Sequence, residues 1–236
     1  MSKRVVGVLG GMGPDATVDF MAKVIALTPA EKDQDHIRML VDHDPTVPNR
    51  QAAILRDGDD PSPALTDMGR RLQRAGAEFL VIPCNTAYVF AQGIIDAVTI
   101  PLVSIIDVTI DALPDSCNRA GLLATDGCVR ARVYQDAMDA RGIAAVLPSD
   151  EEMTRLMELV TRIKGGDQAS DIGDAMRGIA NALVARGAGA VIAGCTEIPL
   201  VLEASALDVP LISSTDVLAE RTVQYARGEI ALPDRE

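Results

Sequence analysis

Leu80-Val-Ile-Pro-Cys84-Asn85-Thr86 is an apolar segment of strand length that ends on a cysteine followed by small polar residues, and the chain carries it twice. The second copy is Val191-Ile-Ala-Gly-Cys195-Thr196-Glu197. Gly-Ala precedes both, as Gly76-Ala77 and Gly187-Ala188. Each copy reads as a parallel strand buried on both faces, with a thiol at its C-terminal end, where open α/β folds bind ligands.

The repeat reaches beyond the cysteines at a nearly constant offset. Val5-Val-Gly7-Val-Leu-Gly-Gly-Met-Gly13 aligns with Arg119-Ala-Gly121-Leu-Leu-Ala-Thr-Asp-Gly127, and Ile100-Pro101-Leu-Val-Ser104 aligns with Val209-Pro210-Leu-Ile-Ser213. Three matches in one order mark a duplicated domain; a solenoid needs a shorter period and more copies. Strands are predicted at residues 4–9, 37–42, 80–84 and 101–104, and again at 120–124, 143–146, 190–194 and 211–213. Helices are predicted at 14–27, 63–75, 86–97, 105–113, 129–141, 151–164, 170–186, 196–204 and 215–227. Ser149 with Glu152 forms a capping box for one of them, and residues 43–62, rich in Pro, Asp and Asn, read as loop. The expectation is an α/β protein of two similar three-layer α/β/α domains, each with a parallel four-stranded sheet and the active site in the cleft between them. One closed eight-stranded barrel is the alternative. The junction at Pro114-Asp115-Ser116 favours two lobes.

Composition narrows the function. Hydrophobic residues make up 48% of the chain and aromatics only 3%, with no Trp, so the cores must be built from Ala, Val, Leu, Ile and Met. A net charge of −12 argues against nucleic acid or an anionic membrane surface as partner. Met1-Ser-Lys-Arg runs at once into a strand pattern rather than a leader, and no apolar run approaches the roughly 20 residues of a membrane span. The four cysteines form no C-x-x-C pair and there are two histidines, which suits a reduced, cytoplasmic protein without a zinc cluster. Cys117 and Cys128 read as small buried hydrophobes. Cys84 and Cys195 do not, because a space-filling residue has no reason to recur in the same polar, strand-terminal setting.

Two strand-end thiols facing one ligand from opposite sides can invert a stereocentre. One thiolate removes a proton from one face of a carbon, and the opposite thiol gives a proton to the other. A following helix lowers a thiol pKa, and both cysteines precede a predicted helix. Two thiolates in a dry cleft repel, so the pair is expected to share one proton and titrate together. Charge developing beside the carboxylate would be stabilised by Asn85, Thr86, Thr196 and nearby amides. Gly10-Gly-Met12-Gly-Pro14 offers amides to an anionic substrate. It is not a dinucleotide fingerprint, since the third glycine is missing. Arg50, in the Pro-stiffened Pro45-Thr-Val-Pro48-Asn-Arg50, is placed to grip a carboxylate.

Together, Gly10-Gly-Met-Gly-Pro14-Asp-Ala-Thr17, Pro45-Thr-Val-Pro48-Asn-Arg50, Pro83-Cys84-Asn85-Thr86-Ala87 and Gly194-Cys195-Thr196-Glu197-Ile198-Pro199 resemble the aspartate/glutamate racemase family, its aspartate racemase branch most of all. The resemblance covers nearly the whole chain. It implies a cofactor-independent racemase of aspartate, with glutamate the other candidate, and a homodimer. It places the catalytic pair on Cys84 and Cys195. Substrate contacts fall on Met12, Arg50, Asn85, Thr86, Ala87, Thr125, Lys164, Thr196 and Glu197. It also implies that the last helix packs back on the first lobe, so the lobes are residues 1–104 with 214–236, and 105–213. The chain departs from the family in Tyr88 for a His, Asp44 for an Asn and Cys128 for a Thr. Two other readings stay open: a maleate-isomerase or decarboxylase relative, and a binding protein for acidic metabolites.

Overall fold

In the computed structural model the structure describes residues 3–167 and 169–234. The first half runs β1 (Val6–Gly10), α1 (Pro14–Leu27), β2 (Met39–His43), α2 (Arg50–Leu55), α3 (Ser62–Arg74), β3 (Phe79–Val81), α4 (Ala91–Ala97) and α5 (Ile105–Ile110). The second runs β4 (Arg119–Leu123), α6 (Asp126–Arg130), α7 (Val133–Asp139), β5 (Ala144–Val146), α8 (Asp150–Lys164), α9 (Ser170–Ala185), β6 (Ala190–Ala193), β7 (Leu211–Ser213) and α10 (Ser214–Arg227). There are two separate parallel sheets, ordered β2-β1-β3 and β5-β4-β6-β7, rather than one closed barrel.

The expected fourth strand of the first sheet is a correction. Residues 101–104 reduce to one bridge, Leu80 to Leu102. The Leu80 N–H still donates to the Pro101 carbonyl and the Val103 N–H to the Leu80 carbonyl, at 2.8 and 2.9 Å. Ser104 already caps α5, accepting from the Asp107 N–H at 3.1 Å. In the second half the same geometry recurs with more strand: Val191 donates to Pro210, and Ser213 caps α10.

The duplication is visible in packing. A Cβ on Gly7 would lie 2.7 Å from Leu80 and 3.2 Å from Leu72 of α3, and one on its counterpart Gly121 would lie 2.9 Å from Leu183 of α9. Both glycines let an outer helix close onto the sheet. β1 and β6 are buried along their full length, as central strands covered on both faces must be. One core joins the facing sides of the two sheets through α1, α5, α7 and α10, while separate cores lie behind each sheet. α10 packs against α1 and α5.

Helices differ from expectation where local chemistry interrupts them. The segment after Cys84 is a 3-10 turn, Asn85–Phe90, before α4 begins. After Cys195 only short 3-10 turns form, Ile198–Leu200 and Ala204–Ala206. The helix predicted at 129–141 is divided into α6 and α7 by Arg132, which stands in the left-handed region at φ 58°. The presumed loop 43–62 holds α2, capped by Asn49, whose side chain accepts from the Gln51 and Ala52 N–H groups. The capping box at Ser149 and Glu152 is formed. Among the described residues no helix is long and apolar enough to cross a membrane.

Candidate active site

The turns that follow β1, β3, β4 and β6 open on one cleft of about 1360 Å³. Cys84 and Cys195 both line it, one from each sheet, at 7% and 5% exposure. Met12, Arg50, Asn85, Thr86, Thr125, Lys164, Thr196 and Glu197 line it as well. Ala87 does not: it is fully buried in the core behind the first sheet. His43 is exposed at the end of β2 and lies outside the cleft.

The second thiol sits in a charged triad. Cys195 Sγ donates to Glu197 Oε2 at 3.0 Å, and the other carboxylate oxygen of Glu197 is ion-paired with Lys164 Nζ. Glu197 is 3% exposed, so its charge acts in a poorly hydrated setting. Burial first, and the Glu197 charge next, push the Cys195 thiol well above its ordinary value, against the pull of Lys164. The expected lowering of this thiol by a helix is therefore corrected. A single 3-10 turn follows it, and desolvation outweighs any dipole. Burial pulls Lys164 down, but the charge of Glu197 and that of the Cys195 and Cys84 thiolate forms outweigh it and hold the ammonium above its usual range. Gly13 permits the approach, since a Cβ there would lie 3.0 Å from Glu197 Oε1 and 3.6 Å from Lys164 Nζ.

The glycine loop offers fewer free amides than its sequence suggests. The Gly11 N–H is taken by Thr17 Oγ1 at 2.9 Å. Arg50, the first residue of α2, is half-buried and turns its guanidinium onto the Val47 and Pro48 carbonyls at 3.0 and 2.9 Å. Its neighbour Gln51 was not foreseen. Gln51 Nε2 donates to Thr125 Oγ1 at 2.5 Å, and its Oε1 accepts from the Gly127 N–H at 2.7 Å. Thr86 and Thr125 share a hydrogen bond at 2.9 Å beside it. Gln51 thus ties α2 to the start of α6 across the cleft, and Gly127 leaves room for it: a Cβ there would fall 2.6 Å from Gln51 Oε1. A glutamine two residues past a cap carries no local signal of such a reach.

The departures from the family pattern sit away from the cleft. The Tyr88 hydroxyl donates to the Val103 carbonyl, and burial pushes its pKa up, so it offers no base to Cys84. Asp44 accepts from the Thr46 N–H and hydroxyl at 2.9 and 2.6 Å, which holds its carboxyl below the usual range and spends its charge on a turn. Cys128 is fully buried, and burial pushes its thiol up to about 12. Among the described residues no group of three or more His, Cys, Asp and Glu side chains is arranged to hold a metal ion.

Comparison with known proteins agrees with this geometry. Residues 9–222 match the Asp/Glu/Hydantoin racemase family. The chain is 29% identical over 223 residues to a broad specificity amino-acid racemase, RacX, of Bacillus subtilis, covering 93% of this chain and 96% of that protein. Among solved structures it is similar to the aspartate racemase of Picrophilus torridus, with a TM-score of 0.85 and 26% identity over 98% of this chain and 96% of that one. An aspartate racemase homologue of Pyrococcus horikoshii shares the fold, with a TM-score of 0.76 and 23% identity over 96% of this chain and 99% of that one.

Proposed function

Because the chain belongs to the Asp/Glu/Hydantoin racemase family, we propose that it interconverts the L- and D-forms of an acidic amino acid, aspartate or glutamate, without a bound cofactor, by proton transfer at Cα between Cys84 and Cys195. The observation that carries this reading is the meeting of two thiols, one from each half of a duplicated chain, at one cleft. The likeness to an aspartate racemase and to an amino-acid racemase of broad specificity supports it.

In the direction that starts from a protonated Cys195, Cys84 as thiolate takes the Cα proton and Cys195 gives its own to the opposite face. Cys84 ends as thiol and Cys195 as thiolate, and each must exchange its proton before the same direction runs again. Glu197, hydrogen-bonded to Cys195 Sγ, is placed to serve that exchange. Arg50 and Lys164 are the cations for the substrate's two carboxylates. Gln51, Thr86, Thr125 and Thr196 line the cleft with polar groups that stabilise negative charge as it builds up at the carboxylate. The lobe division at residues 1–104 with 214–236, and 105–213, belongs to the same reading; α10 packs on α1 of the first lobe and on α5 of the second.

The Lys164–Glu197 pair favours a second reading with the same chemistry and a wider substrate range. A lysine whose charge is already matched gives less preference for a second carboxylate. The test is incubation with L-aspartate, L-glutamate and a set of neutral L-amino acids in D₂O, without added cofactor, following Cα-proton loss by NMR and chirality by chromatography. Exchange with loss of chirality in the acidic substrates supports the first reading, and equal turnover of neutral ones supports the second. No exchange in any of them, at enzyme levels that reveal slow turnover, overturns both.

A further inference from the structure

Behind the cleft, the backbone next to one thiol is bound to the backbone next to the other by a buried polar bridge. Asn85 follows Cys84. Its side-chain carbonyl accepts from the Tyr134 hydroxyl at 2.7 Å, and its amino group donates to Ser214 Oγ at 3.0 Å. Ser214 Oγ in turn donates to the Ala193 carbonyl at 2.9 Å, two residues before Cys195. The Tyr134 ring lies against Gly194, the residue between, where an added Cβ would stand 3.0 Å from Cε2. Tyr134 and Ser214 are fully buried and Asn85 is 2% exposed. Neither Tyr134 nor Ser214 lines the cleft.

From Asn85 two routes therefore run to Ala193 and Gly194, one through Ser214 and one through Tyr134. We propose that Tyr134 and Ser214 are positioning residues which, acting through Asn85, set the span between Cys84 and Cys195. A buried network with both ends of its amide engaged is stiff, because every displacement unmakes a hydrogen bond that water cannot replace. Two-base inversion depends on that span, while removal of a proton by one thiol does not. The inference rests on the two-thiol reading above, and it gives the Asn85 side chain a task other than holding substrate.

The test compares wild type with Ser214→Ala and Tyr134→Phe in the full chain. Each deletes one hydroxyl, and Tyr134→Phe keeps the ring on Gly194, so either variant alone decides. Two quantities are read. One is the ratio of inversion to Cα-proton exchange in D₂O. The other is formation of a Cys84–Cys195 cross-link by dibromobimane, mapped by mass spectrometry, which needs no substrate. The expected result is inversion lowered about 10- to 100-fold with exchange retained, and a cross-link yield that falls relative to single alkylation. Inversion and exchange falling in proportion, or an unchanged cross-link, overturn the proposal. Wild type without exchange or inversion overturns the racemase reading instead, and the cross-link then decides the bridge by itself.

Discussion

The two thiols occupy the same place in the duplicated halves, yet the residue two positions beyond each is different. After Cys84 it is Thr86, a neutral hydroxyl bonded to Thr125. After Cys195 it is Glu197, a buried carboxylate that accepts the thiol's proton-bearing bond and holds Lys164. One difference in the repeat therefore sets the surroundings of the two thiols apart. Negative charge 3.0 Å away stabilises Cys195 as thiol, which in the proposed mechanism assigns the starting acid to the second half. A symmetric pair would leave the shared proton unassigned. The comparison teaches that a duplicated site needs broken symmetry in charge while keeping symmetry in position.

The largest test of that contrast removes each thiol in turn. Cys84→Ala and Cys195→Ala should each lower inversion at least about 100-fold, the usual scale of one acid–base group. They should differ in what survives. Cys195→Ala keeps the base on one face and is expected to retain Cα-proton exchange from one enantiomer, whereas Cys84→Ala is expected to show it only from the other. Exchange from both enantiomers in either variant would break the two-sided picture.

Next in size is the cation that Glu197 holds. Lys164→Met should raise KM for aspartate about 10- to 100-fold, the scale of a hydrogen bond to a charged group, with a smaller change in kcat. It should affect neutral amino acids less. Equal losses for both classes would show that Lys164 serves the triad rather than the substrate's second carboxylate.

Glu197→Gln sharpens the comparison through pH. The Glu197 charge helps hold the Cys195 thiol above its ordinary value, so removing it lets that pKa fall. Cys195 acts as an acid only while protonated, and its contribution is lost as pH rises through its pKa. The alkaline limb of the inversion profile should therefore move to lower pH in the variant. Alkylation of Cys195 at neutral pH should become faster, because more of it is thiolate. An unmoved limb with unchanged alkylation would assign the raised pKa to burial alone.

How far these features were legible in the sequence follows from the range of the forces behind them. Cysteines at strand ends, and the alignment of Gly7 with Gly121 and of Ser104 with Ser213, are local patterns repeated at one offset and were read directly, whereas the packing of those glycines and the capping by those serines came from the structure. The short turns after Cys195 had a visible cause in Pro199, which sits inside the first of them. The break at Arg132 had none, since neither Gly nor Pro marks it. Gln51, Tyr134 and Ser214 were missed because their partners come from distant parts of the chain. Lys164 and Glu197 were assigned to the substrate, and their pairing with each other appears only when α8 is set beside β6.

The smallest effect asks whether the halves are equal where no chemistry is involved. Ser104 and Ser213 hold equivalent places before α5 and α10, accepting from the Asp107 and Asp216 N–H groups at 3.1 and 3.2 Å. Replacing either with Ala deletes one helix cap and should cost about 1 kcal/mol in denaturant unfolding. The two costs should match, because each cap makes one bond of similar length at the start of a helix in the shared core. A clearly larger loss for Ser213→Ala would mean that the bridge at Ser214 is disturbed as well, and that position and stability are coupled behind the second thiol but not behind the first.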